Sequence, residues 1–147
     1  MMKLKIKKLH PDAVTPQYAT AGAACFDLVA IDDGSPHPSD ASARIYRTGL
    51  AFEVPPGWAL EIHSRSGHGF KNAIRLSNCT GIIDSDYRGE LMVALHADGV
   101  DGLVFKAHAF DRIAQAKLVP APQVAFEVVD DLSDTARGSG GFGSTGV

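Results

Sequence analysis

The chain has only two cysteines, Cys25 and Cys79, in 147 residues. They form no CxxC pair and no metal spacing, and two are too few for a disulfide framework. A reducing, cytoplasmic compartment is therefore expected. No apolar run reaches the length that spans a bilayer. The opening Met1 to Lys7 alternates instead of forming a signal-peptide core, so neither leader nor membrane anchor is expected. Positive charge is not in excess. The formal net charge is −3, which gives no reason to expect a long nucleic acid or an anionic membrane as partner, although a small anion could bind a local basic site. The six histidines (His10, His37, His63, His68, His96 and His108) make no HxxxH or His/Cys set. They read as surface residues and imply no zinc. No segment of helix length shows a convincing 3.6-residue period, and no internal repeat or interdomain linker is visible.

Glycine and proline are plentiful, at 15 and 8 residues. They punctuate strand signals that recur about every 8–12 residues, the rhythm of a sandwich, jelly roll or barrel. Lys3 to Lys8 puts Leu4 and Ile6 on one face and lysines on the other, a half-buried strand. Pro11 to Thr20 reads as a loop. A small-residue run from Ala21 enters a strand ending near Ala30, and Asp32 to Ser42 reads as an exposed loop. Ile45 to Thr48 and Leu50 to Val54 read as strands broken by Gly49. After the Pro55-Pro56-Gly57 turn, Trp58, Leu60 and Ile62 alternate on another strand. His63 to Asn72 reads as a polar loop, and Ile74 and Leu76 lead into Asn78 to Leu95, which has the pattern of a hairpin with a polar corner. Strands are then expected over Leu103 and Phe105, over Arg112 to Val119 as far as Pro120, and over Val124, Phe126 and Val128. Asp130 to Ala136 reads as a polar connector with room for one helical turn. The glycine-rich end cannot be a packed strand. Residues 1–136 are thus expected to form an all-β core and 137–147 a flexible arm.

Four groups of residues carry chemistry. Asp84 follows Ile82 and Ile83, which should be buried, so it could be a base holding a water at the end of a strand. Asp84 and Asp86 could equally be ordinary turn residues. Tyr87 could be a surface residue or a flat platform against a sugar, leaving no room for a 2′-hydroxyl. Arg65-Ser66-Gly67 offers a guanidinium, a hydroxyl and a permissive backbone, a set suited to phosphate. Gln115 on its strand matters only if its amide meets a phosphate or the attacking water. The final arm carries Arg137, one Phe142 that can stack on a base, and Ser144-Thr145 among glycines that let it wrap. A segment that orders on binding can act as a lid.

Five separated stretches resemble the trimeric, all-β dUTP diphosphatases in their order. They are Ala21 to Leu28, Ser64-Arg65-Ser66-Gly67, Asn78 to Glu90, Asp111 to Gln115, and Arg137 to Gly146. The resemblance implies a distorted jelly-roll or barrel-like subunit, a homotrimer with exchange of C-terminal arms, and three sites at subunit interfaces. It implies Mg²⁺-dependent hydrolysis of dUTP to dUMP and pyrophosphate, which limits uracil in DNA and supplies dUMP for dTMP synthesis. By the same resemblance, Asp84 is the general base for attack at the α-phosphorus and Tyr87 backs the deoxyribose. Asn78, the backbone of Gly81, Ile82, Ile83 and Asp84, and Met92 read uracil. Arg65, Ser66, Gly67 and Gln115 hold phosphates, and Arg137, Phe142, Ser144 and Thr145 close over the ligand from a neighbouring subunit. No direct protein ligand to Mg²⁺ is expected, with Asp27 at most an outer-shell group. Three positions depart from the family pattern: Cys25 and Phe110 stand where glycine is usual, and Ser64 where proline is. Two other readings stay open, a dCTP deaminase-like or bifunctional relative and a non-catalytic nucleotide-binding regulator.

Overall fold

The computed structural model describes residues 2–98 and 106–144. Among these the chain forms ten strands and one short helix. In order they are β1 (Lys5–Lys8), β2 (Phe26–Val29), β3 (Ser35–His37), β4 (Asp40–Arg47), β5 (Leu50–Glu53), β6 (Trp58–His63), α1 (Ser66–Asn72), β7 (Ile74–Leu76), β8 (Gly81–Ile83), β9 (Met92–Ala97) and β10 (Arg112–Pro120). The expected strands over Leu103 and Phe105 lie outside the described residues, as does Thr145.

All pairings are antiparallel. One four-stranded sheet runs β2-β10-β6-β8, a second runs β3-β4-β9-β7, and β1 pairs with β5 alone. Neither large sheet closes into a barrel. The two contribute to one apolar core: Leu28, Leu60, Ile62, Ile113 and Ala116 from the first, Tyr46, Ile74, Leu76, Val93 and Leu95 from the second, with Leu50 and Phe52 of β5. Burial of these side chains is the main stabilising term. Tyr46 is fully buried, its hydroxyl accepts from the Ala107 N–H at 3.0 Å, and burial raises its pKa. Its ring lies on Gly34, where φ is +71° and an added Cβ would sit 2.5 Å from the ring, so no other residue fits.

The all-β class holds, but several local expectations do not. The Asn78 to Leu95 stretch is not a paired hairpin. β8 pairs with β6, whereas β9 lies between β4 and β7 in the other sheet. Each strand finds a longer partner elsewhere, and the Asp84 to Leu91 connection crosses between sheets. Its far end is pinned where the Leu91 N–H donates to Leu50 O at 2.8 Å and the buried Thr48 hydroxyl donates to Leu91 O at 2.6 Å. Ile82, expected in the interior, is exposed because β8 is an edge strand.

The polar loop before β7 is the helix α1. It buries no residue, so it leaves no apolar stripe in the sequence, and Ala73 rather than glycine ends it at φ 52°. Asp32 to Ser42 holds β3 and the start of β4, which pair as an edge hairpin where Pro36 is tolerated because edge strands need not donate every N–H. Val124, Phe126 and Val128 form no strand and stand exposed, Phe126 at 94% and Val128 at 99%, with no partner edge in this chain among the described residues. Asp130 to Ala136 holds no helical turn. Of the six histidines only His108 is exposed, and the other five are half-buried.

Candidate active site

The crossover makes a cleft. Where β8, at the edge of one sheet, faces β9 and β7 of the other, a cavity of about 530 Å³ opens. Asn78, Gly81, Ile82, Ile83 and Met92 line it with Ile62, Leu76 and Ser77, and His37 and Asp40 stand at its β3–β4 side. Gly81 eases the close approach of β8 to β6, since an added Cβ would sit 3.1 Å from Ile62 and that side chain would have to shift. A second cavity, about 280 Å³, adjoins along the shared walls Ile82, Ile83 and Met92 and adds Asp84, Tyr87, Glu90 and Leu91.

Asp84 is exposed at the start of the crossover, and its carbonyl accepts from the Tyr87 N–H at 3.3 Å. The Tyr87 hydroxyl donates to Glu90 O at 3.0 Å, laying the ring over Gly89, where a Cβ would meet that hydroxyl at 2.4 Å. Glu90 in turn accepts from the Gly49 N–H at 2.8 Å and pairs with Arg47 at 3.0 Å. Arg88 Nη1 donates to Ser85 O and Tyr87 O, so it makes the corner-stabilising bonds that an Asp86 turn would be expected to make. Glu90 and Arg47 were not foreseen. They hold the corner through sequence-distant bonds that leave no local signal.

The phosphate-suited residues sit elsewhere. Asp27, Gln115 and His63 are register partners on the adjacent strands β2, β10 and β6. Arg65 precedes α1, and its Nε donates to Asp27 Oδ1 at 3.0 Å. Asp27 Oδ2 accepts from Arg112 Nη1 at 3.2 Å. Asp27, considered from sequence only for an ion, thus aims two arginines. His68 lies 3.4 Å from Arg65 Nη1, and burial, then the Arg65 charge, lower its pKa, so the ring is neutral beside the guanidinium. Gln115 Nε2 donates to Ser64 O at 2.9 Å, and the Ser64 hydroxyl accepts from the Leu76 N–H at 2.9 Å. Serine at this position therefore satisfies a strand donor that proline could not reach. Ser66 and Gly67 are exposed at the start of α1.

Arg65, Ser66, Gly67 and Gln115 line neither cavity. Arg137, Phe142 and Ser144 line neither as well. They are exposed in a run of turns, with Arg137 Nε donating to Gly140 O at 2.9 Å. Of the departures from pattern, Cys25 does not adopt positive φ, whereas Phe110 does, at 71°. Among the described residues no three His, Cys, Asp or Glu side chains group to hold a metal. Among the described residues no helix is long and apolar enough to cross a membrane, and both cysteines are free.

A dUTPase family model matches residues 12–146. The chain is 47% identical to the deoxyuridine 5′-triphosphate nucleotidohydrolase of Nautilia profundicola, over 99% of each chain. It is 44% identical to that of a Picosynechococcus species, over 99% of this chain and all of the other. Among solved structures, the dUTPase of Staphylococcus bacteriophage 80alpha with dUPNHPP superposes with a TM-score of 0.82 at 24% identity over the full length of both chains. A mutant dUTPase from phage phi11 of S. aureus, described with a structural Mg(II) ion, superposes at 0.75 with 19% identity, over 90% of this chain and all of the other.

Proposed function

The chain belongs to the dUTPase family, and from that premise we propose how its own residues hydrolyse dUTP to dUMP and pyrophosphate. The observation that carries the reading is the pair of adjoining cavities: Asp84 and Tyr87 line the smaller, beside a larger one with ample room for a nucleobase. Uracil sits between β8 and β9, where the backbone of Gly81 to Ile83 and the Asn78 amide present fixed donors and acceptors. Cytosine reverses the N3 and C4 pattern and would leave those groups unpaired. The sugar lies on Tyr87, and its ring, held by the Glu90 carbonyl, leaves no space for a 2′-hydroxyl. Asp84 accepts a proton from water, which attacks the α-phosphorus as pyrophosphate leaves in line.

The phosphates are met by Arg65, aimed by Asp27, with Ser66, Gly67 and Gln115. Because these line neither cavity, the reading includes a homotrimer in which the phosphate corner of one subunit faces the cavities of the next. The arm with Arg137, Phe142, Ser144 and Thr145 then closes from a neighbour. The exposure of Val124 to Val128 in the isolated chain supports a segment that packs on another subunit. Residues 1–136 and 137–147 are then core and arm. Mg²⁺ fits only through the substrate. Both oxygens of Asp27 already accept from arginines, which leaves lone pairs for the waters of a hydrated ion but no open cage. When bound, the ion neutralises phosphate charge. Two free cysteines suit a reducing cytoplasm.

Pyrophosphate release measured on dUTP, dCTP, dTTP and UTP tests the reading, with turnover expected on dUTP alone. Ammonia release from dCTP would replace it with a deaminase, and tight dUTP binding without pyrophosphate would replace it with a nucleotide-binding regulator.

A further inference from the structure

His96 lies in the middle of a charged chain behind the larger cavity. On β9 it stands opposite Ala43 of β4 and Arg75 of β7. Its Nδ1 is 2.8 Å from Asp40 Oδ2 and 3.0 Å from the Ser42 hydroxyl. That hydroxyl donates its own proton to Asp40 Oδ1 at 2.6 Å, so toward His96 it can only accept. On the other side Nε2 is 3.2 Å from Asp98 Oδ1. Both ring nitrogens therefore face acceptors, and only the imidazolium donates from both. Beyond His96, Asp98 Oδ2 accepts from Arg75 Nε at 2.8 Å, and Arg75 Nη1 reaches Leu76 O at 3.1 Å and Ser77 O at 3.5 Å.

The two ends of this chain are walls of the cavity: Asp40 on one side, Leu76 and Ser77 next to Asn78 on the other. We infer that His96, as the imidazolium, is a positioning residue for base recognition, drawing the β3–β4 turn and the β7 wall onto β9. The inference rests on the reading of this cavity as the base site. The groups facing His96 among the described residues are Asp40 and Ser42 of β4, Arg75 of β7 and Asp98 after β9. His37 of β3, the register partner of Asp40, accepts instead from the Ser39 N–H at 3.2 Å, and Cys79 lies near enough to Arg75 to act on its charge. Hydrogen bonds from Ser42 and then His96 lower the Asp40 carboxyl to about 2, so it stays ionised wherever the enzyme would be assayed. A neutral ring keeps one N–H, turns a lone pair on one carboxylate, and releases one wall. Asp84 is held by separate bonds, so the chemical step is untouched.

The test is steady-state hydrolysis of dUTP by the full chain and its His96→Gln variant. The variant is expected to show a KM about 10-fold above wild type with kcat within about twofold, since bracing lost from the ground and transition states alike raises KM alone. Asp98→Asn, at a half-exposed position, should likewise raise KM with kcat unchanged. Equal KM values, or a fall in kcat as large as the rise in KM, would overturn the inference. If the wild-type protein releases no pyrophosphate from dUTP, the base-site reading fails and takes this inference with it. If wild type turns over and the variants match it, only the inference fails.

Discussion

The cavity proposed to hold the base and the corner proposed to hold the phosphates are built in opposite ways. The cavity is enclosed within one chain, its walls taken from two sheets and tied by a chain of charged groups through His96. The corner lies across three adjacent strands, with Arg65 and Arg112 held by one aspartate, and lines neither cavity. On the proposed function, the difference follows from what each half must recognise. Telling uracil from cytosine depends on fixed backbone donors and acceptors, which only a rigid wall provides. Holding phosphates depends on positive charge at the right distance, which long side chains and a closing arm can bring from outside. On the proposed function, selectivity can therefore be complete in a subunit whose catalysis is not.

The sharpest way to break this division is Asp84→Asn. The substitution keeps the shape of the crossover and removes the proton acceptor. Turnover should fall about 1,000-fold, within the range for loss of a general base, while dUMP binding by calorimetry stays within about twofold of wild type. Near-normal turnover would dismiss Asp84 as the base, and lost dUMP binding would show that the two regions do not act separately. Deleting residues 137–147 should come next in size. Loss of Arg137, Phe142 and the Ser144-Thr145 hydroxyls is expected to lower kcat/KM about 100-fold by exposing and loosening the phosphates. Assembly measured by sedimentation should not change. A truncated protein with normal kcat/KM would move the phosphate contacts wholly onto Arg65 and Gln115.

These two experiments address residues that the sequence displays with unequal clarity. Strand after strand was legible because Leu50 and Phe52, Leu60 and Ile62, Val93 and Leu95 repeat the burial of one face. The proposed site residues Asp84, Tyr87 and Arg65 also stand out in the sequence, as polar groups near glycines in recognisable order. What could not be read was which strand pairs with which. Asn78 to Leu95 has the local pattern of a hairpin, yet β8 and β9 belong to different sheets, since pairing partners are set by the long-range fit of β6, β4 and β7. The helix α1 was invisible for a related reason: it buries nothing, and burial is what writes a period into sequence. Val124, Phe126 and Val128 alternate as a strand does, but alternation records a buried face without saying whose edge it meets. The roles of Asp27, Glu90 and His96 depend on partners tens of residues away.

One residue joins the two halves. Ser64 accepts from Leu76 at the cavity wall, while its carbonyl accepts from Gln115 at the phosphate corner. In Ser64→Ala the Leu76 N–H loses its acceptor, at a position where Leu76 itself is buried. The expected cost is about 1–2 kcal/mol, the penalty of an unsatisfied strand donor, read as a lower urea midpoint at unchanged slope. A smaller functional loss, a modest rise in KM, should accompany it. An unchanged midpoint would mean that water replaces the hydroxyl and that the halves are not coupled here.

The smallest effect should come from the turn that feeds β10 toward the corner. Phe110 holds φ at 71°, with its N–H donating to Ala30 O at 2.8 Å, and the next turn is closed by the Asp111 N–H to His108 O at 3.0 Å. Phe110 is 61% exposed, so its ring recovers little of the strain by burial. A left-handed conformation costs a non-glycine residue about 1–2 kcal/mol, whereas glycine would add about 0.5–1 kcal/mol of unfolded-state entropy. The difference favours Phe110→Gly by about 0.5–1 kcal/mol, visible as a rise of a few degrees in Tm. Neither cavity contains Phe110, so dUMP affinity should be unchanged. Should the variant melt lower than wild type, the exposed ring must be buried in the assembled enzyme. That result would extend the contrast between the halves, since the phosphate side would then depend on a neighbouring subunit for its stability as well as for its closing arm.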